Sequence, residues 1–280
     1  MKLLKKTNFA LFFVFAICFS LLLSGCYGGG QQSSGDSGSQ KEGGESDSPQ
    51  IIKALESAAI PSMDSVMAED TVSFTTLNNV MEGLYRINQN QEVVPAMAEG
   101  EPEISQDGTV YTFKIRKDAK WSNGDPVTAH DFVYAWQRAI DPKSASEYGP
   151  YMMIGKIKGA AEITEAAAQK KEYDLNSLGI KALDDHTLEV TLERPIPYFL
   201  SLVAFPTFYP QNKKFVEEQG ENYAKTSENL VFNGPFVLNG WDGSTDSSWQ
   251  YVKNESYWDA KTVKLDKVEW NVLKDSQSAA

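Results

Sequence analysis

The chain has 280 residues, of which 41% are hydrophobic and 11% aromatic, with a formal net charge of −12. That is enough apolar material for one large or two small globular domains. The anionic balance opposes binding to phosphate backbones, so no nucleic-acid partner is expected.

In chain order, Lys2, Lys5 and Lys6 make a basic start, and an apolar run from Phe9 to Leu23 follows. The run is short for a membrane span, which needs about 20 apolar residues, and has the size and flanks of a secretory signal. Leu23-Ser24-Gly25-Cys26 comes next, with small residues before a thiol. This segment resembles the lipobox of bacterial lipoproteins, which implies cleavage of residues 1–25 as a signal peptide and lipid on Cys26. Losing the three lysines leaves a mature charge of −15. Cys18 leaves with the signal, so an acylated Cys26 would be the one cysteine remaining and no disulfide framework is expected. Residues 26–49 are rich in Gly, Ser, Gln, Asp and Glu, and read as a flexible tether. The expected location is a cell membrane, lipid-anchored and facing outside, most simply on a Gram-positive surface.

The body starts near Gln50 and alternates strand and helix signals. Val110 to Arg116 places Tyr111, Phe113 and Ile115 on one face, a half-buried strand entered through an Asp107-Gly108 turn. Thr128 and Asp131 stand in capping-box spacing, and Phe132, Val133, Trp136 and Ile140 follow at helical spacing until Asp141-Pro142. Gly159 to Lys171 predicts a second helix. Leu188, Val190 and Leu192 alternate after an Asp184-Asp185-His186 turn. An apolar run covers Tyr198 to Phe208, a helix is expected around Lys214 to Tyr223, and strand-like pieces lie near Phe236, Tyr251 and Val268. The mixture is α/β or α+β. Trp121 and Trp136 read as core.

Several stretches carry a more specific signal. They are Pro95-Ala-Met-Ala98, Asp107 to Arg116, Lys117 to Ala129 with Asp131-Phe132, Met81-Glu-Gly-Leu-Tyr85, Tyr134 to Arg138 and Ala182 to Leu192. Pro195 to Phe199, Asn233-Gly-Pro-Phe236 and Asn254 to Trp258 continue the series. Together they resemble the family 5 extracellular solute-binding proteins, the oligopeptide- and dipeptide-binding components of ABC transporters. The likeness runs from about Ile51 to Lys274.

The resemblance implies a periplasmic-binding-protein-like type II fold in which two lobes close on a peptide. Main-chain pairing would supply affinity and wet pockets would receive side chains. It implies short peptides as ligands, membrane permease and ATPase subunits as partners, and a monomer. No cofactor or metal is implied. Residues 50–83 with 208–280 would form the ligand-binding core of the first lobe, and 84–207 an accessory subdomain. The segment Met63 to Thr71 matches the leading loop that lines the cleft, which makes Glu69, Asp70 and Thr71 ligand-binding candidates. Tyr148 matches a cleft tyrosine, Phe205 falls where relatives vary, and Asn233-Gly234 matches the start of a strand near the cleft. By itself Phe205 reads as core, and Glu69 and Asp70 as a solvated loop.

The match stops soon after Leu265 to Val272. The expectation is therefore a truncated relative, a first lobe whose second lobe is missing, with impaired binding and exposed strand edges. An enzyme is disfavoured, because His130 and His186 are the only histidines and no nucleophile elbow, HExxH or Gly-rich phosphate loop occurs. Solute binding of nickel, haem or a sugar, and reception of signalling peptides, stay open as alternatives.

Overall fold

A computed structural model describes residues 48–245 and 248–273. The signal segment, Cys26 and the tether as far as residue 47 lie outside the described residues. In chain order the elements are β1 (Ile51–Glu56), α1 (Thr71–Val80), β2 (Tyr85–Ile87), β3 (Val93–Pro95), β4 (Glu103–Ile104), β5 (Val110–Lys114), α2 (Ala129–Ile140), α3 (Tyr148–Met153) and α4 (Ala160–Ala168). There follow β6 (Ile180–Asp184), β7 (Thr187–Thr191), α5 (Phe199–Leu202), α6 (Lys213–Gln219), β8 (Phe236–Asn239), β9 (Trp249–Lys253) and β10 (Lys267–Val272).

Two four-stranded sheets carry the fold. One has the order β1-β10-β9-β8, the other β4-β5-β7-β6, and β2 with β3 forms a small hairpin. In the first sheet β1 runs parallel to β10, with Ile51 opposite Lys267, so the two ends of the body meet in one ladder. The other pairings of both sheets are antiparallel. In β5 the alternation works as expected, since Tyr111, Phe113 and the following Ile115 are all buried. Across the ladder Phe113 faces Leu188 and Tyr111 faces Val190, which closes that sheet's inner face.

Helix α2 begins where the capping signal sits. The Asp131 carboxylate accepts from the Thr128 N–H at 2.8 Å and from the Thr128 hydroxyl at 3.3 Å. Phe132, Ala135, Trp136, Ala139 and Ile140 are buried, as a stripe at helical spacing requires. Trp136 donates from Nε1 to the Phe208 carbonyl at 2.9 Å, which satisfies its one polar atom inside the core. Buried residues from both sheets join in a single hydrophobic cluster.

Some boundaries differ from the sequence reading. The second predicted helix is shorter, Ala160–Ala168, and the one expected to reach Tyr223 ends at Gln219, with a 3-10 turn over Gly220–Asn222. The apolar run from Tyr198 to Phe208 is one helical turn and a 3-10 turn, because Pro206 interrupts it. Thr71, placed in the leading loop, is the first residue of α1. Strand β1 lies at a sheet edge with Ile51 43%, Ile52 47% and Leu55 53% exposed. No helix of the described residues is long and apolar enough to cross a membrane.

Candidate ligand-binding site

Helix α1 organises the site, and its start is set by Asp70. That residue is extended (φ −121°, ψ 161°) and its carboxylate accepts from the Ser73 N–H at 2.9 Å, an N-cap contact typically worth about 1 kcal/mol. Glu69 and Thr71 on either side are exposed. The loop leading to them is held from beneath. Arg138 of α2 makes a two-pronged pair with Asp64, Nη1 to Oδ1 at 2.7 Å and Nη2 to Oδ2 at 2.6 Å. Gln211 donates to the same carboxylate at 2.9 Å and to Ser65 Oγ at 3.1 Å. The Ser146 hydroxyl donates to the Val66 carbonyl and accepts from the Gly149 N–H, which fastens the loop to the start of α3. Three separate elements thus fix the segment that presents Glu69.

One turn further along α1, Phe74 meets two of the sequence-predicted residues. Its ring centroid lies 5.3 Å from Tyr148, nearly edge-on, and 4.8 Å from Phe205. Tyr148 and Phe205 stack on each other at 5.6 Å with 13° between planes. All three rings are half-buried, so they form a wall rather than an interior cluster. Phe205 is not core, as its apolar surroundings suggested. It is partly buried and packs against the edge of the core, just before the 3-10 turn that begins with Pro206.

Asn233 and Gly234 grip the other end of α1. Asn233 accepts from the Glu82 N–H at 3.0 Å and donates to the Glu82 carbonyl at 2.8 Å, a two-way clasp on the backbone of one residue. The Gly234 N–H donates to the Val80 carbonyl at 3.0 Å. A Cβ at Gly234 would stand 2.6 Å from the Met81 nitrogen, so only glycine permits this approach. Both residues are buried, and the Asn233 amide is turned to the Glu82 backbone and away from solvent, which is a positioning role.

The Glu82 side chain is a second buried hub. Arg86 Nη1, the Tyr257 hydroxyl and Trp258 Nε1 each donate to it at 2.8 Å. Burial lifts the Glu82 carboxyl above the ordinary carboxylate range, against the donors that favour its charged form. Between this hub and Phe205 lies a cavity of about 330 Å³, lined by Asn78, Arg86, Ile87, Phe205, Tyr209 and Pro235 among others. The Tyr209 hydroxyl donates to Asn78 Oδ1 at 2.5 Å, and burial pushes its phenol well up. Gly83 is needed because a Cβ there would fall 2.7 Å from the Tyr209 ring.

All the candidates therefore attach to one helix: Glu69, Asp70 and Thr71 at its start, Tyr148 and Phe205 against its middle, Asn233 and Gly234 at its end. Phe74, Asn78, Glu82, Arg86 and Tyr209 were not singled out as site residues by the sequence. The one available signal was that Met81-Glu-Gly-Leu-Tyr85 and Asn254 to Trp258 both belonged to the family pattern, and these two stretches meet at Glu82. Chemically the arrangement offers aromatic faces, a guanidinium, an amide and hydroxyls at a partly open surface, which suits reversible binding. Among the described residues no group of three His, Cys, Asp or Glu side chains could hold a metal ion.

The family model for bacterial extracellular solute-binding proteins, family 5 middle, matches residues 92–280. The chain belongs to the family 5 solute-binding proteins. The expected family and mixed α/β fold are thereby borne out. The chain is 43% identical over 214 residues to the dipeptide-binding protein DppE of Bacillus subtilis, covering 76% of this chain and 37% of that protein. With the oligopeptide-binding protein OppA of the same organism it shares 38% identity over 262 residues, 94% of this chain and 45% of that one. A solved structure of Listeria monocytogenes OppA bound to peptide superposes with a TM-score of 0.77 at 50% identity, covering 82% of this chain and 44% of that one. This family 5 chain therefore spans less than half the length of these relatives.

Proposed function

We propose that this chain is part of the binding face of a lipid-anchored, outward-facing oligopeptide receptor that serves an ABC importer. The observation that carries the reading is the wall of Phe74, Tyr148 and Phe205 beside the exposed loop at Glu69 and Thr71. A rigid helix presents both, so the site is in place before a ligand arrives and little ordering entropy opposes binding. We read Glu69, Asp70 and Thr71 as flanking the peptide backbone, and Tyr148 and Phe205 as covering its side chains. Asn233 and Gly234 hold the helix in register. Residues 50–83 with 208–280 serve as the core of this lobe and 84–207 as its accessory part. Binding without covalent chemistry fits relatives whose names describe dipeptide and oligopeptide binding.

These 280 residues match 37–45% of the relatives' length, so binding by them alone is expected to be weak. A peptide held on one side stays wet on the other, and each hydrogen bond forgone is worth about 1 kcal/mol. Ligand-observed NMR with a pool of tri- to pentapeptides tests the reading, because it detects millimolar affinities. Saturation transfer to the peptides is expected with the unaltered chain and should fall several-fold with Tyr148→Ala or Phe205→Ala. Equal transfer in all three proteins would refute the placement of the site. Anchoring is tested separately, by fatty-acid labelling of cells that express the chain. Label is expected in the membrane fraction and should vanish with Cys26→Ser; an unlabelled wild-type chain would rule out the anchor.

A further inference from the structure

The aromatic wall does not end at Tyr148. One helical turn on, at the i,i+3 position of α3, stands Tyr151, and the two rings lie 6.1 Å apart with 73° between their planes. Tyr151 is 75% exposed. Its position is nonetheless held. Lys156 donates from Nζ to the Tyr151 carbonyl at 3.1 Å, and the same ammonium lies 6.0 Å from the ring centroid. Tyr148 in turn is fixed by stacking on Phe205 and by the edge of Phe74. The result is a right-angled corner with one braced aromatic face and one open one.

We infer that Tyr151 is a specificity-determining residue, and that the corner it makes with Tyr148 receives an aromatic side chain of the bound peptide. This rests on the peptide-binding reading and deepens it. A flat ring placed there stacks on one tyrosine and meets the other edge-on, the two arrangements that the ring quadrupole favours. An alanine side chain reaches neither. A tyrosine left this exposed beside an ordered aromatic wall gives up apolar burial that a ligand ring would supply. The corner also selects weakly for charge, since Lys156 is the cation beside it and acidic side chains would find one favourable neighbour but no stacking face.

The experiment uses the full chain and tetrapeptides in which one phenylalanine is moved through otherwise all-alanine sequences. Affinities are read by ligand-observed NMR titration, with all-alanine tetrapeptide as the reference. At least one phenylalanine position is expected to bind about two- to tenfold tighter than the reference, the range an aromatic pair supplies. Tyr151→Ala should erase that gain and leave the all-alanine affinity unchanged, while Tyr151→Phe should keep it. If the reference binds but no phenylalanine position improves on it, or if Tyr151→Ala keeps the gain, the inference is overturned while peptide binding stands. If no peptide binds the unaltered chain, both readings fall together.

Discussion

The two ends of α1 are both secured by a buried carboxylate and an arginine, yet the two pairs are built differently. At the start, Asp64 and Arg138 meet through two parallel hydrogen bonds, with the arginine side chain 24% exposed. At the end, Glu82 and Arg86 share one contact, the arginine is 40% exposed, and two neutral donors, Tyr257 and Trp258, complete the carboxylate. The first pair fixes the geometry of a loop that has little secondary structure of its own. The second closes the floor of a cavity whose backbone is already clasped by Asn233. An ion pair is needed for shape where the chain is irregular, and serves mainly to satisfy a buried acid where it is not.

Removing Asp64 should therefore have the largest effect. Asp64→Ala strands a guanidinium that cannot discharge, and breaking such a pair costs about 3–5 kcal/mol. Denaturant unfolding would show it as a lower midpoint, and proteolysis should cut first near residues 60–70. A loss under about 1 kcal/mol would end the distinction drawn between the two ends.

A third buried carboxylate sharpens the contrast because no ion pair to it is seen among the described residues. Asp131 accepts from Thr128 and Trp121, and burial pushes its pKa up to about 6 from the ordinary 3.8. The folded chain then keeps a proton that the unfolded chain has released between about pH 4 and 6. Stability should fall as pH rises through that window, by about 3 kcal/mol for a shift of this size. Asp131→Asn should flatten this part of the curve whatever its own stability. Parallel curves for the two proteins would show that Asp131 is not the group responsible.

The smallest effect is expected at the far end. Arg86→Met removes a partly exposed cation, and Glu82 retains the hydrogen bonds from Tyr257 and Trp258. About 1 kcal/mol is expected, measured by thermal melts at pH 7. A penalty matching that of Asp64→Ala would mean that both pairs do the same job.

The stretches that sequence reading placed well had two signals in agreement. Thr128 and Asp131 marked a start just where an apolar stripe began, and Tyr111, Phe113 and Ile115 alternated behind a turn. Helix α1 had a cap residue in Asp70 but no helix-forming sequence behind it. Its sequence, Thr71-Val-Ser-Phe-Thr-Thr-Leu-Asn-Asn-Val80, is rich in β-branched and hydroxyl residues with poor helical propensity, and its first turn holds no acidic residue. What makes it a helix is burial of Ser73, Thr76, Leu77 and Val80 against the rest of the body, a contribution no local window contains.

From the sequence alone came the family, the mixed α/β class and five of the ten strands of the described residues, because alternation, caps and turn residues are local properties of the chain. The tertiary structure alone decided that seven scattered candidates share one helix, that Phe205 and Tyr148 stack although far apart in the chain, and that Glu82 joins two distant motifs. Such contacts arise from closing long loops around a common core. Their partners are chosen by the packing of the whole body, and spacing along the chain carries no record of them.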